Sequence, residues 1–315
     1  MRRSLVSTVL LLPLLATACG SGGGGAAPAA SPSAAPRPSA PPTPSSTVAR
    51  APVAVPTCEP VKSVPVSPKD FPAPTKVDAQ WMPLPTGTRM VMEGRANRGG
   101  GVLPHRITFT ITDLTKVIDG VPNLVTWDVD TGEKGVLQEA ELAFFAQDAD
   151  GNAWNFGEYP EEYEKGKFTG APSTWLAGLS NAEPGVQVPA KVQLGKPEIL
   201  QGLSPDVEFL DCAKDTKLGE KVCVPTGCYE GSRVVDERSP LAPDSGVQRK
   251  TYAPGVGNVR VEAVGDPEGE TLVLVEKRPL TTAELVTARA EARKLDQHGR
   301  DTHPVYKQSA PLQGP

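Results

Sequence analysis

Apolar and polar residues alternate at period two along much of the chain between residues 88 and 277, the mark of strands with one face buried. In residues 105–113, Ile107, Phe109 and Ile111 share one face, while Arg106, Thr108, Thr110 and Thr112 share the other. Met90 and Met92 alternate just before them, and the glycine-rich residues 97–101 read as the loop of a hairpin. Asp119-Gly120 is a two-residue type I′ turn signal, because both central positions of that turn need positive φ. Val125, Trp127 and Val129 then form the next apolar face. Residues 131–135 turn the chain into 136–147, and Asp150-Gly151-Asn152 turns it into 153–156. Connections this short favour antiparallel neighbours in sequence order.

Residues 158–165, rich in glutamate, read as an acidic loop leaving the sheet, followed by irregular chain to Pro184. Strand-like runs resume at 190–194, 207–212, 221–224, 229–236, 249–252, 256–264 and 271–277. The last element is helical. Thr281 with Glu284 matches a capping box, and Leu285, Ala288, Ala292 and Leu295 recur near a 3.6-residue period. Arg293 and Lys294 suit its C-terminal end, Gly299 marks its stop, and the thin, alanine-rich stripe predicts weak docking. The expected fold is mainly β: an antiparallel meander forming a curved sheet or incomplete barrel, with one C-terminal helix. It forms a single domain over residues 58–298, and 299–315 read as a loose tail.

The first residues change the picture from fold to location. Arg2 and Arg3 precede an apolar run over residues 5–15 that Pro13 interrupts, so residues 1–18 read as an export signal. Two outcomes compete at the bond after Ala18: acylation of Cys19, as in a palmitate-bearing lipoprotein, or plain secretion with a free thiol. Ala16 departs from the leucine usual at that lipobox position, but the parity of the remaining cysteines favours acylation. Residues 19–57 are then a lipidated Cys and a disordered Pro/Ala/Ser stalk, which proline biases to extended geometry at ~3.1 Å per residue. The expected location is the outer face of the cell membrane, with the lipid as the membrane contact. A net charge of -5 without a basic cluster argues against nucleic acid as partner.

Candidate chemistry is sparse. Asp148-Ala149-Asp150-Gly151-Asn152 resembles the start of a calcium loop, yet Ala153 and Tyr159 stand where an EF-hand needs Gly and Glu. A polar hairpin turn is the plainer reading. Glu158, Glu161, Glu162 and Glu164 contain carboxylates for acid/base work, but consecutive glutamates more often form a solvated loop. His105, His298 and His303 lack metal-ligand spacing, and no nucleophile elbow, phosphate loop or dinucleotide fingerprint is present in context. No cofactor, metal or catalytic residue is therefore expected.

Without Cys19, Cys58, Cys212, Cys223 and Cys228 form an even set in an oxidising compartment, open to three pairings. A turn over Val224-Pro225-Thr226-Gly227 would bring Cys223 to Cys228 and leave Cys58 for Cys212. Aromatic residues concentrate at Phe144, Phe145, Trp154, Phe156 and Trp175, which makes these the candidate binding surface for an apolar ligand or cell-envelope component. Two alternatives stay open. The aromatics are simply core in a structural or partner-binding protein, or Asp148, Asp150 and Glu158 serve a secreted hydrolase.

Three strings carry a resemblance. They are Pro83-Leu84-Pro85-Thr86-Gly87-Thr88; Phe145-Ala146-Gln147-Asp148 with Gly151-Asn152-Ala153-Trp154-Asn155-Phe156-Gly157-Glu158; and Tyr252-Ala253-Pro254-Gly255-Val256-Gly257-Asn258-Val259. In that order, with the turn Val224–Tyr229 before the last, they resemble an uncharacterised family of bacterial secreted or lipoprotein β-rich domains. The resemblance implies an antiparallel half-barrel similar to periplasmic lipoprotein carriers, and it assigns no catalytic residue.

Overall fold

A computed structural model describes Cys58 and residues 66–97, 101–266 and 268–315. The export signal, Cys19 and the stalk lie outside the described residues. Strands β1 (Thr88–Asn97), β2 (Val102–Ile118), β3 (Val121–Thr131), β4 (Leu137–Gln147) and β5 (Ala153–Glu164) follow one another as the expected meander. Two short strands, β6 (Lys167–Gly170) and β7 (Trp175–Leu176), come next. They are followed by β8 (Glu183–Val188), β9 (Ile199–Ser204), β10 (Phe209–Val224), β11 (Gly227–Arg238), β12 (Val247–Ala253), β13 (Gly257–Val264) and β14 (Thr271–Pro279).

The sheet closes. Its neighbour order is β4-β3-β2-β1-β14-β13-β12-β11-β10-β9-β8-β5, and β5 pairs with β4, giving an antiparallel barrel of 12 strands. This corrects the expectation of a curved sheet or incomplete barrel. β14 returns to pair with β1 from Thr88↔Pro279 to Arg95↔Thr271, and β5 uses both of its edges. Closure removes the unpaired edges that an open sheet must protect. The thinnest seams are β13–β14, joined through Arg260↔Val273 and Val261↔Leu272, and β8–β9, joined through Glu183↔Leu203 and Pro184↔Gly202.

Local chemistry explains the turns. Asp119 (φ 46°) and Gly120 (φ 76°) both take positive φ at the β2–β3 hairpin, as an Asp-Gly type I′ turn requires. At the β4–β5 turn, Asp148 accepts from the backbone N–H of Asp150 (3.0 Å) and of Asn152 (2.8 Å). Other boundaries differ from the periodicity. Residues 158–165 are largely the second half of β5 rather than a loop. Pro160 falls in the gap between the β7 pairing at Gly157 and Glu158 and the β6 pairing from Glu162, an edge position that tolerates proline. Residues 190–194 form no strand, and 207–212 with 221–224 belong to one long β10 whose polar middle hides its continuity.

A helix, α1 (Thr282–Thr302), covers the outward face of β2, β4 and β5. Thr281 caps it by bonding the backbone of Glu284, whose side chain reaches back to the Thr281 N–H. Arg278 grips that same carboxylate (2.6 and 3.0 Å) and, with the cap, holds the Glu284 carboxyl down at about 2. The buried stripe is Ala288, Ala292, Leu295, Asp296 and Gly299. Small residues let the helix lie close: a Cβ on Gly299 would sit 2.7 Å from the Tyr159 ring. The helix therefore runs through Gly299 rather than stopping there.

The residues after α1, expected as a loose tail, are packed. Tyr306 is fully buried against Tyr159, with ring centroids 4.4 Å apart, and Leu312 joins the same core. The backbones of Thr115 and Gln313 exchange hydrogen bonds of 3.0 and 2.8 Å. Beneath them the Lys116 ammonium donates to Asp296 Oδ1 (2.7 Å) and to the Ala310 carbonyl (2.6 Å), 4.4 Å from the centre of the Tyr306 ring. Docking that looked weak from its alanines is fixed by a buried ion pair. Cys58 is bridged to Cys212 beside Leu210, and Cys223 to Cys228 where β10 turns into β11.

Candidate functional site

Strand alternation gives this barrel two unlike faces. On β3, β4 and β5 the apolar side points outward, beneath α1: Val125, Leu142, Phe144, Phe156 and Tyr159 belong to that core. The inward side carries carboxylates. Asp128 stands opposite Glu141, Asp130 opposite Glu139, and Glu139 opposite Glu162, with Glu158 further along β5. Asp130, Glu139, Glu141 and Glu158 are buried, and Asp128 and Glu162 half-buried. On β2, His105 places Nε2 2.8 Å from Glu270 Oε1 and 3.6 Å from Asp130 Oδ2.

The next section of wall is hydrocarbon. Met92 lies opposite Ile107 on one side and Leu274 on the other, and Met90, Phe109 and Leu272 continue the surface. These are the residues whose alternation was plainest in the sequence. Further around, β10–β12 present paired charges. Arg233 bonds Asp215 (2.9 Å) and the Pro189 carbonyl (2.7 Å), with the Trp81 ring 5.9 Å away, and Lys250 is bonded to Glu237. The inward-facing residues thus fall into an acidic stretch, an apolar stretch and a stretch of ion pairs.

The five aromatics proposed as a binding surface do not share one. Phe144 and Phe156 lie in the outer core, and Trp154 packs edge-on to Phe71 (5.9 Å) with its indole N–H on Asp148 Oδ2 (2.7 Å). Phe145, next in sequence to Phe144, points inward, as strand geometry demands. Trp175 stacks on Phe209 (5.0 Å), and its indole donates to Glu158 (2.8 Å). Asp148, Asp150 and Glu158 do not converge either. Asp148 is engaged by its turn, Asp150 is exposed, and Glu158 faces the lumen. Glu161, read as part of a solvated loop, is 2% exposed and accepts from Tyr159 (2.8 Å) and Tyr163 (2.6 Å) hydroxyls while contacting His298 Nδ1. Among the described residues, no group of His, Cys, Asp and Glu is placed to hold a metal.

Asp128 shows what the acidic wall costs. Its Oδ1 is sealed from solvent and accepts no hydrogen bond, and burial pushes its carboxyl well above the ordinary range. A carboxyl raised in the folded state binds a proton on folding, so its effect on stability is most favourable at low pH. That benefit is lost as pH rises from the unfolded value through the folded one. Asp128→Asn is expected to raise stability at pH 7 by on the order of 1 kcal/mol or more, the gain fading toward pH 4. Melting curves of both proteins across that pH range check it.

No protein-family model and no curated protein matches the chain. Two solved structures are weakly similar. One, from Bacteroides fragilis and described as exported with a YmcC-like fold, gives a TM-score of 0.33 at 12% identity, covering 64% of this chain and 99% of that chain. The other, described as a lipoprotein from Parabacteroides distasonis, gives 0.29 at 16% identity, covering 62% and 97%. Scores at this level carry no argument, so the functional reading rests on the barrel itself. The three strings resembling secreted domains lie before and within β1, in the β4–β5 hairpin and in the β12–β13 hairpin, and no family model supports them.

Proposed function

We propose that this chain is an exported, lipid-anchored binding protein whose barrel lumen takes an amphipathic cation, an apolar body with an ammonium or guanidinium head. The supporting observation is the inward register of Asp128 with Glu141 and of Asp130 with Glu139, beside the Met90, Met92, Ile107, Phe109 and Leu272 surface. These carboxylates concentrate negative charge on one stretch of the inner face. A cation gains coulombic attraction beside this row of carboxylates, and its own apolar body leaves water against the neighbouring hydrocarbon. Binding without chemistry is the reading, with the membrane as partner through acylated Cys19.

The test is thermal unfolding with dodecyltrimethylammonium below its micelle concentration, against dodecanoate and a neutral dodecyl glycoside. Ligand at 100 times Kd adds about 2.7 kcal/mol, so the cation is expected to raise the melting temperature clearly and the other two to leave it. Glu141→Gln should remove most of that response. Equal stabilisation by dodecanoate, or an undiminished response in the variant, would overturn the reading. Labelled palmitate, retained by the wild type and lost in Cys19→Ala, checks the anchor in the same strain.

A further inference from the structure

We infer that Cys223–Cys228 is a thiol–disulfide exchange site, opened and re-formed in the folded protein by a small thiol or dithiol reductant, while Cys58–Cys212 stays closed. β9 pairs with β10 over Phe209–Ala213, and β12 pairs with β11 over Arg233–Glu237. From Glu220↔Ser232 to Val224↔Gly227 the β10–β11 hairpin pairs only with itself, continuing past those ladders as a two-stranded ribbon. Its register shifts between Asp215 and Lys217, between Leu218 and Glu220, and between Glu220 and Val222. Gly219 (φ 88°) and Gly231 (φ 68°) take positive φ where an added Cβ would meet nothing within 4 Å. The ribbon is bent, with Lys217–Lys221, Cys223, Cys228, Glu230 and Gly231 exposed and Val222 and Ser232 buried.

The two disulfides differ in access and in the length of chain they close. Cys223 and Cys228 are both exposed, whereas Cys58 and Cys212 are 2% and 0% exposed among Leu200, Leu203 and Leu210. Access decides which sulfur an attacking thiolate reaches. The first pair spans 5 positions and the second 154, so opening the first releases far less chain and leaves the barrel ladders intact. The Arg260 guanidinium donates to the Cys223 carbonyl (2.7 Å), whereas Lys221 is paired with Glu230 (2.7 Å). Positive charge near a cysteine favours its thiolate, which makes it the better leaving group.

The step balances with the reductant alone. A thiolate attacks one cysteine sulfur, the S–S bond breaks as the mixed disulfide forms, and the other cysteine leaves as a thiolate that solvent protonates. A second thiol then attacks the mixed disulfide. Two electrons pass from two reductant thiols to the cystine, the reductant departs as its disulfide, and the ribbon carries two thiols.

The experiment exposes the oxidised, full-length protein to graded glutathione under native conditions. Rapid N-ethylmaleimide trapping and peptide mass spectrometry then read each cysteine separately, Cys19 included. Cys223 and Cys228 are expected to be trapped at least about tenfold faster than Cys58 and Cys212, in keeping with the dependence of exchange on access. Cys228→Ser should collect a glutathione mixed disulfide at Cys223 from oxidised glutathione, with the barrel's melting temperature close to wild type. Equal trapping rates for the two pairs would overturn the inference. So would trapping of Cys223 only at temperatures where the barrel unfolds, or a Cys228→Ser variant destabilised as much as Cys212→Ala.

Discussion

Asp296→Ala is expected to cost the fold about 3–5 kcal/mol, because it strands a buried ammonium without its counter-ion. Lys116 is 0% exposed, and its other contacts are the Ala310 carbonyl and the Tyr306 ring. Asp296 also accepts from the Tyr306 hydroxyl (2.8 Å) and the Leu312 backbone (3.3 Å), so one carboxylate joins helix, tail and strand. Urea denaturation at pH 7 gives the size of the loss. Its pH dependence gives the cause. Burial lowers the Lys116 pKa, so the folded protein binds fewer protons than the unfolded chain above that value. Stability of the variant should therefore recover as pH rises toward the unfolded lysine value. Pairing Lys116→Met with Asp296→Leu should restore much of the loss by leaving no charge behind. A single variant that melts with the wild type would show that the ion pair does not hold the helix.

The second large effect belongs to Cys58–Cys212. Cys212→Ala is expected to destabilise the barrel by about 2–5 kcal/mol, the range seen when a native disulfide is removed. The bridge closes a loop spanning 154 positions, which strongly restricts the unfolded chain, and it seats Cys58 against Leu210. Denaturation midpoints of wild type, Cys212→Ala and Cys58→Ala should fall into one and two, with the variants alike. A wild-type midpoint for Cys58→Ala would sink the argument.

Period-two alternation made most of the strands legible, and Asp119-Gly120 placed a turn, because those signals are local. Alternation says that two faces differ; it does not say which one faces the lumen. Val125, Trp127 and Val129 announced an apolar face, and it lies on the outside of the ring, while Asp128 and Asp130 between them point in. Ring closure depends on β14 meeting β1 and on β5 meeting β8 as well as its hairpin neighbour β4, and the first two pairings are distant in sequence and encoded by no local pattern. The same limit hid the acidic wall, since Asp128, Glu141 and Glu162 become neighbours only through register. The tail looked loose because its anchors are single residues, Tyr306, Leu312 and Gln313, without any period.

The position of Cys58 has a mechanical consequence. Tension arriving along the chain ahead of Cys58 passes through its sulfur into Cys212, inside β10, and so reaches the barrel at a strand paired on both sides. Resistance of that junction to force is then set by the rate at which the β9–β10–β11 ladders unfold rather than by equilibrium stability.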